Sequence, residues 1–297
     1  DLPVYYVILN GWVNIFGISD FSMRAFSALL GSLSLIAIFY FTRYLFDEKI
    51  ALLATFLASI NLTLIGYSQE ARQYSYLLFL SLLSIIFLVK YFKEEKTKYV
   101  VGLVIVNTLI IFTHFPWLMF ITFQGLYALY IMYKDYVHKK KFHTKIIVAF
   151  LIIGVLYLTI IGRALFSQTD TIGLYWQPSI GQIAEFGVRL STWLYPSETM
   201  RQKIYEFSLN FSLFEWALLI SVLLSASLIG LLFLIGTVKS FYKKKSAIFI
   251  LLMFFFPLLF AVTLSSIHPK FTVFQIKQVI YIIPAYLIFA SIGCLRT

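Results

Sequence analysis

Apolar residues gather into long runs, broken by short polar or charged intervals, along almost the whole chain. Nine such runs can be drawn, at 22–46, 50–66, 74–92, 98–114, 116–133, 146–162, 213–238, 246–266 and 277–295. Each is roughly 17–25 residues, the length that carries an α-helix through a bilayer. Lipid offers no water to the backbone, so each run is expected to be helical, its N–H and C=O groups paired within the segment. Two stretches break this rhythm: residues 1–21, rich in Tyr and Trp, and 163–212, with Trp176, Pro178, Trp193, Tyr195, Pro196 and Glu198. A connection longer than about 15 residues is usually functional or disordered, and the aromatics argue against disorder. Within the second, EFGVRLSTWLYP reads as a short amphipathic helix lying at the interface. The expected class is all-α, polytopic and transmembrane, with about nine spans, in one domain over 1–297. The first residues, DLPVYYVILNGW, lack the basic start and cleavage site of a signal peptide. The chain has no initiating Met and stops at CLRT, just past an apolar run. We therefore expect a piece cut at both ends, with 1–21 closing a first outer loop and 163–212 forming a long one.

Composition agrees. Hydrophobic residues make up 61% of the chain, charged residues 12%, and the mean hydropathy is +0.88. A soluble domain carries about 25% charged residues, so lipid has to hide this much apolar surface. The net charge of +11 would point to nucleic acid on a soluble protein. Its distribution removes that need. If the connection at 47–49 lies inside and the sides alternate, the inner connections hold 16 of the 24 bases and 5 of the 13 acids. The outer side is then neutral and the whole excess falls on one face, as the positive-inside rule requires. KKKFHTK and FYKKKS become orientation signals facing anionic lipid. The single cysteine, Cys294, excludes an intrachain disulfide and a Cys-based metal site.

Candidate chemistry therefore belongs on the outer side, where IGYSQEARQYSY joins two apolar runs. Interfacial tyrosines and a neutral Glu70–Arg72 pair in a polar turn would be one reading. If residues 67–76 instead start the third span as a helix, Glu70 and Arg72 are two positions apart and point away from each other. Glu70 then shares a face with Gln73 and Tyr74, and Arg72 with Tyr76. Unpaired ionisable groups near lipid usually mark a functional cavity. A carboxylate supplies an acceptor, a base or a metal ligand, and a guanidinium supplies a fork for phosphate. Arg24, with Asp20 just before it, falls on the same side. So do His114, His268, Lys270 and Lys277. Singly each is explained by snorkelling, capping or a turn; together, cations beside a carboxylate suit a phosphate-bearing lipid. No phosphate-cradling glycine loop, GxSxG or HExxH motif is present.

These stretches resemble a family. LPVYYVILNGWVNIFGISDFSMRAFSALLG, IGYSQEARQYSY and FTHF are similar to segments of membrane glycosyltransferases of the GT-C fold, above all family 39: protein mannosyltransferases, aminoarabinose transferases and their relatives. The SQEAR turn followed by Tyr74 is the most specific part. The resemblance implies a GT-C-like helical bundle that takes a sugar from a polyprenyl-phosphate carrier on the outer leaflet and passes it to a protein, lipid or glycan. Residue by residue, Glu70 and Arg72 fall on the turn's acidic and basic positions. Arg24, Ser27 and Gly31 fall on an Arg-x-x-Ser stretch, and His114 on a Thr-His position. Lys277 matches a basic residue before a last apolar span holding Pro284. The family's main catalytic carboxylate lies upstream of the Tyr-Tyr stretch, and Asp1 is the nearest acid here.

The expected roles follow. Glu70 and Asp1 are the catalytic acids. Arg72, Arg24 and Lys277 take the lipid phosphate, with Gln69, Tyr67, Tyr74, His114 and Tyr6 lining the substrate site. Trp176 and Trp193 stack on sugar. Glu70 either orients sugar or acceptor or holds a divalent metal; no other cofactor is expected. The partners are the carrier-linked sugar, the acceptor and membrane lipid, with no nucleic acid. The place is the cell membrane with the site facing outward. The rival reading is a transporter or lipid-sugar flippase, which would more often show repeated halves with broken spans; no repeat is visible. A purely structural subunit is disfavoured by the long aromatic outer loop.

Overall fold

A computed structural model describes residues 3–114, 117–166, 190, 213–267 and 279–296. Among these the chain is helical, with no strand. The helices are α1 (Val4–Phe16), α2 (Asp20–Leu45), α3 (Glu48–Ser59), α4 (Leu62–Gln69), α5 (Tyr74–Glu94), α6 (Thr97–Ile111), α7 (Leu118–Lys139), α8 (Thr144–Phe166), α9 (Leu213–Lys239), α10 (Lys244–Ile267) and α11 (Ile282–Leu295). Every expected span coincides with a helix or a bent helix pair. By length and composition, α2, α5 and the Ala226–Lys243 stretch can each cross a membrane, and α3 with α4 adds a fourth if the bent pair is one span. The helix α6 has 15 residues and α11 has 14, less than a straight crossing needs.

The local causes of these elements are plain. Polar side chains cap three helix starts: Ser19 accepts from the Ser22 N–H at 3.1 Å, Asp47 from Ile50 at 3.0 Å and Asn61 from Leu64 at 3.1 Å. Asn61 also explains a departure from the sequence reading. The run 50–66 is not one straight helix but bends by 57° between α3 and α4. The Asn61 carboxamide caps α4 and donates to the Leu190 carbonyl at 3.2 Å, so its side chain replaces backbone partners lost at the break. Pro284 sits in the first turn of α11, where a missing N–H costs little.

The bundle closes around α11, whose residues Ile282–Gly293 are all buried, packed on α9, α3 and α10. Gly236 of α9 and Gly293 of α11 meet backbone to backbone, with no room for a Cβ on either. Lipid tails are as apolar as leucine, so close packing and internal hydrogen bonds must hold helices together. Ser84 of α5, Asn107 of α6 and Gln124 of α7 supply such bonds, all fully buried. Ser84 donates to Asn107 at 3.0 Å, Asn107 to Gln124 at 3.1 Å, and Gln124 back to Ser84 at 2.8 Å.

The connections sort to two ends. At one, Lys141 pairs with Glu95, Lys145 donates to Thr97 at 2.8 Å, and Ser246 donates to the Leu45 carbonyl at 3.0 Å. Arg296 reaches Asp47 at 3.5 Å, and buried His143 meets Asp135 at 3.1 Å. At the other end, the Val4 N–H bonds the Phe112 carbonyl at 3.3 Å, and the rings of Trp117 and Tyr281 pack 4.8 Å apart. The connections read as basic and inner therefore share the first end, and the described parts of the outer ones the second.

Candidate functional site

The site is built at the aromatic end by the turn between α4 and α5. Here the structure corrects the sequence reading that residues 67–76 open a continuous helix. The helix α4 ends at Gln69, Glu70 has extended backbone (φ −90°, ψ 130°), and α5 begins only at Tyr74. The Arg72 N–H donates to the Glu70 carbonyl at 2.8 Å, closing a tight turn. Helical-face arguments for Glu70 and Arg72 therefore do not apply. Their conclusion survives for another reason: no ion pair joins the two among the described residues, and both side chains are exposed.

Tyrosines hold the turn. Tyr74 is buried, its ring edge-on to Tyr67 at 4.9 Å, and the Arg72 guanidinium lies 5.2 Å from its centre. Glu70, Arg72 and Tyr6 all act electrostatically on the Tyr74 hydroxyl. Ser75 ties the start of α5 back to α4 by donating to the Tyr67 carbonyl at 2.9 Å. Tyr67, Gln69 and Glu70 line one cleft of about 420 Å³ with Thr63, Ile65 and Gly66, within the size range of small-ligand sites. A second cavity, of about 210 Å³, shares Ile65 and is lined by Gly31, Ser68 and Ser75 among others.

The helix α1 braces this arrangement from the side. Tyr5, fully buried, packs its ring 5.9 Å from Tyr76 and 6.1 Å from Phe26. Trp12 packs on Phe26 and donates to the Ser22 carbonyl at 2.9 Å. Burial pushes the Tyr5 phenol above its ordinary range, with Ser27 beside it pulling the other way. The Tyr5, Ser27 and Tyr76 hydroxyls are buried, and among the described residues none closes a full hydrogen bond. Sequence reasoning named Tyr6 and not Tyr5; Tyr6 is half exposed, edge-on to Tyr5 at 5.3 Å. The missed signal was spacing: Tyr5, Leu9 and Val13 recur every four residues and form the buried face of α1.

The remaining expected residues are placed as follows. Arg24 is exposed on α2, seven positions before Gly31 and so on the same helix face, ~10 Å along the axis. That face meets α4, since a Cβ on Gly31 would stand 2.7 Å from the Ser68 Cβ. His114 is half-buried just after α6, and its carbonyl accepts from the Trp117 N–H at 3.3 Å. Thus Tyr67, Gln69, Glu70, Arg72, Tyr74 and Tyr6 come together, while Arg24 lies on α2 and His114 just after α6. Asp1, Trp176, Trp193, Lys277, His268 and Lys270 lie outside the described residues, as does the loop 163–212 apart from Leu190 and the end of α8. Among the described residues no three His, Cys, Asp or Glu side chains gather to hold a metal.

The fold and this turn define a class. The family profile for dolichyl-phosphate-mannose-protein mannosyltransferase matches residues 2–159, more than half of the chain, and the chain belongs to that GT-C glycosyltransferase family. The fold is similar to that of ArnT from Cupriavidus metallidurans in its apo crystal structure, with a TM-score of 0.59 at 13% identity over 100% of this chain. This chain spans 49% of the length of that protein. No curated protein matches the sequence at a significant level.

Proposed function

We propose that the chain carries part of the active site of a glycosyltransferase that moves a sugar from a polyprenyl-phosphate carrier to a protein, lipid or glycan at the outer leaflet. The observation that carries this is the turn itself. It holds a carboxylate and a guanidinium that do not neutralise each other, fixed by tyrosines beside a cleft of about 420 Å³.

Glycosyl transfer breaks the bond from the sugar's anomeric carbon to the phosphate oxygen while the acceptor hydroxyl attacks that carbon. Charge develops on the departing phosphate, and cations fixed in place before the reaction stabilise it. Arg72, held against the Tyr74 ring, supplies that charge, with Arg24 and Lys277 as further phosphate ligands. Glu70, in the cleft lining, orients sugar or acceptor through hydrogen bonds. Acceptor deprotonation falls to a carboxylate, and Asp1 is the nearest acid on the amino-terminal side. Trp176, Trp193 and the loop 163–212 supply the stacking surface and the choice of acceptor.

Turnover of a polyprenyl-phosphate sugar by full-length protein tests this. Glu70→Gln and Arg72→Ala should each lower kcat by about 10²-fold or more. Wild-type turnover in either variant would remove that residue from the site. Movement of the lipid-linked sugar across the bilayer with no polyprenyl phosphate released would instead support the flippase reading.

A further inference from the structure

The end of the bundle opposite the candidate site has a pocket of its own. A cavity of about 400 Å³ lies between α2 and α5, lined by Tyr40, Arg43, Tyr44, Ile86, Lys90 and Lys93 among others. Among the described residues, two of its three cations, Lys90 and Lys93, form no ion pair. Arg43 pairs with Glu48 at 3.3 Å, and nearby Glu94 is taken by Lys96 and Tyr99, both at 2.8 Å. Lys93 lies 4.5 Å from the centre of Tyr44 and Lys90 5.8 Å from that of Tyr99, with Lys90 also acting at longer range on the Glu94 carboxylate. The Tyr44 hydroxyl is buried and makes no hydrogen bond among the described residues. Two ammonium groups outside any ion pair, one of them partly offset by Glu94, and a phenol are groups that a phosphate takes.

The walls above the cations are apolar. On α2, Arg43, Tyr40, Ile36 and Leu29 follow one helix face, the last three 60%, 54% and 45% exposed. On α5, Lys93, Lys90, Ile86, Leu83 and Phe79 do the same, the last four half-buried. These stripes run from the basic pocket along the outside of the bundle. A soluble phosphate has no use for such a track; acyl chains do.

We propose that this pocket binds the headgroup of an anionic phospholipid, with its acyl chains along the α2–α5 stripes. The site is separate from the turn at Glu70 and does not depend on the transferase reading. Charge bias alone would orient the protein, but it would not require two unpaired lysines to converge on a cavity that opens into an apolar groove.

Native mass spectrometry of the full-length protein, with equimolar phosphatidylglycerol and phosphatidylcholine, reads this directly. Wild-type protein should retain phosphatidylglycerol preferentially. Lys90→Gln with Lys93→Gln should reduce that preference on the order of 25-fold, a basic side chain near the surface being worth about fivefold each. Lys90→Arg with Lys93→Arg should keep it, and so should Lys134→Gln with Lys245→Gln, which removes equal charge elsewhere on the same end. Equal retention in wild type and the Lys90/Lys93 glutamine variant overturns the proposal, as does an equal loss in the Lys134/Lys245 control. Displacement of the lipid by glycerol 3-phosphate at the same concentration overturns the assignment to a lipid.

Discussion

At Arg72 the guanidinium lies 5.2 Å from the centre of the Tyr74 ring, and that ring is locked by Tyr67 at 4.9 Å. The side chain is therefore held against an aromatic ring, next to the residues that line the cleft. A lysine keeps the charge and loses the planar fork. Arg72→Lys should retain more turnover than Arg72→Ala yet fall about tenfold below wild type, with most of the loss in KM for the lipid donor. Steady-state kinetics in donor concentration checks the split. Tyr74→Leu removes the ring and keeps the charge, and should resemble Arg72→Lys. If Tyr74→Leu were as active as wild type, orientation by the ring would play no part.

At the scale of elements, one close approach sets where the turn sits. Gly31 of α2 faces Ser68 of α4, and a methyl at Gly31 would stand 2.7 Å from the Ser68 Cβ. Gly31→Ala should push α4 outward, costing about 1–3 kcal/mol and moving Gln69 and Glu70 with it. Ser68→Gly opens that space. The double variant should be more stable than the two single losses predict, by about 1 kcal/mol or more; strict additivity in thermal denaturation would rule out the direct contact. The buried triad gives a second case. Asn107→Leu removes two bonds and should cost roughly 1–2 kcal/mol, whereas replacing Ser84, Asn107 and Gln124 together by apolar residues should recover part of that loss, because no polar atom is left unpaired. Neither feature was legible in the sequence. Ser84, Asn107 and Gln124 sit in three different apolar runs with no local period, so only the tertiary contact reveals them. The bend at Asn61 was equally hidden, since hydropathy over 50–66 does not register one polar residue. What could be read was what lipid dictates locally: the run lengths, and the polar turn that interrupts them.

For the whole molecule, the charge count made a geometric claim that the folded chain can answer. Residues assigned to one side had to end up together, and they do. Arg296 finds Asp47, Lys141 finds Glu95, and Lys145 finds Thr97, across separations of 249, 46 and 48 positions. These pairs are solvent-exposed and individually worth under about 1 kcal/mol, so their grouping reflects where the basic connections lie more than what holds the bundle. The site residues split differently: the turn at 65–76 was found from its own polar content, while Tyr5 and the Gly31–Ser68 contact needed the packing of α1 and α4. The lysine and arginine bias predicts which end faces the cytoplasm, and that prediction can be measured. In a Cys294→Ser background, Gln69→Cys should react with a membrane-impermeant maleimide on intact cells, and Lys98→Cys only after permeabilisation. The reverse pattern would place Glu70 and Arg72 on the cytoplasmic side, away from any outer-leaflet carrier, and would end the transferase assignment made for this face. It would leave the α2–α5 lipid pocket standing, because that pocket rests on unpaired lysines and an apolar groove rather than on which leaflet they meet.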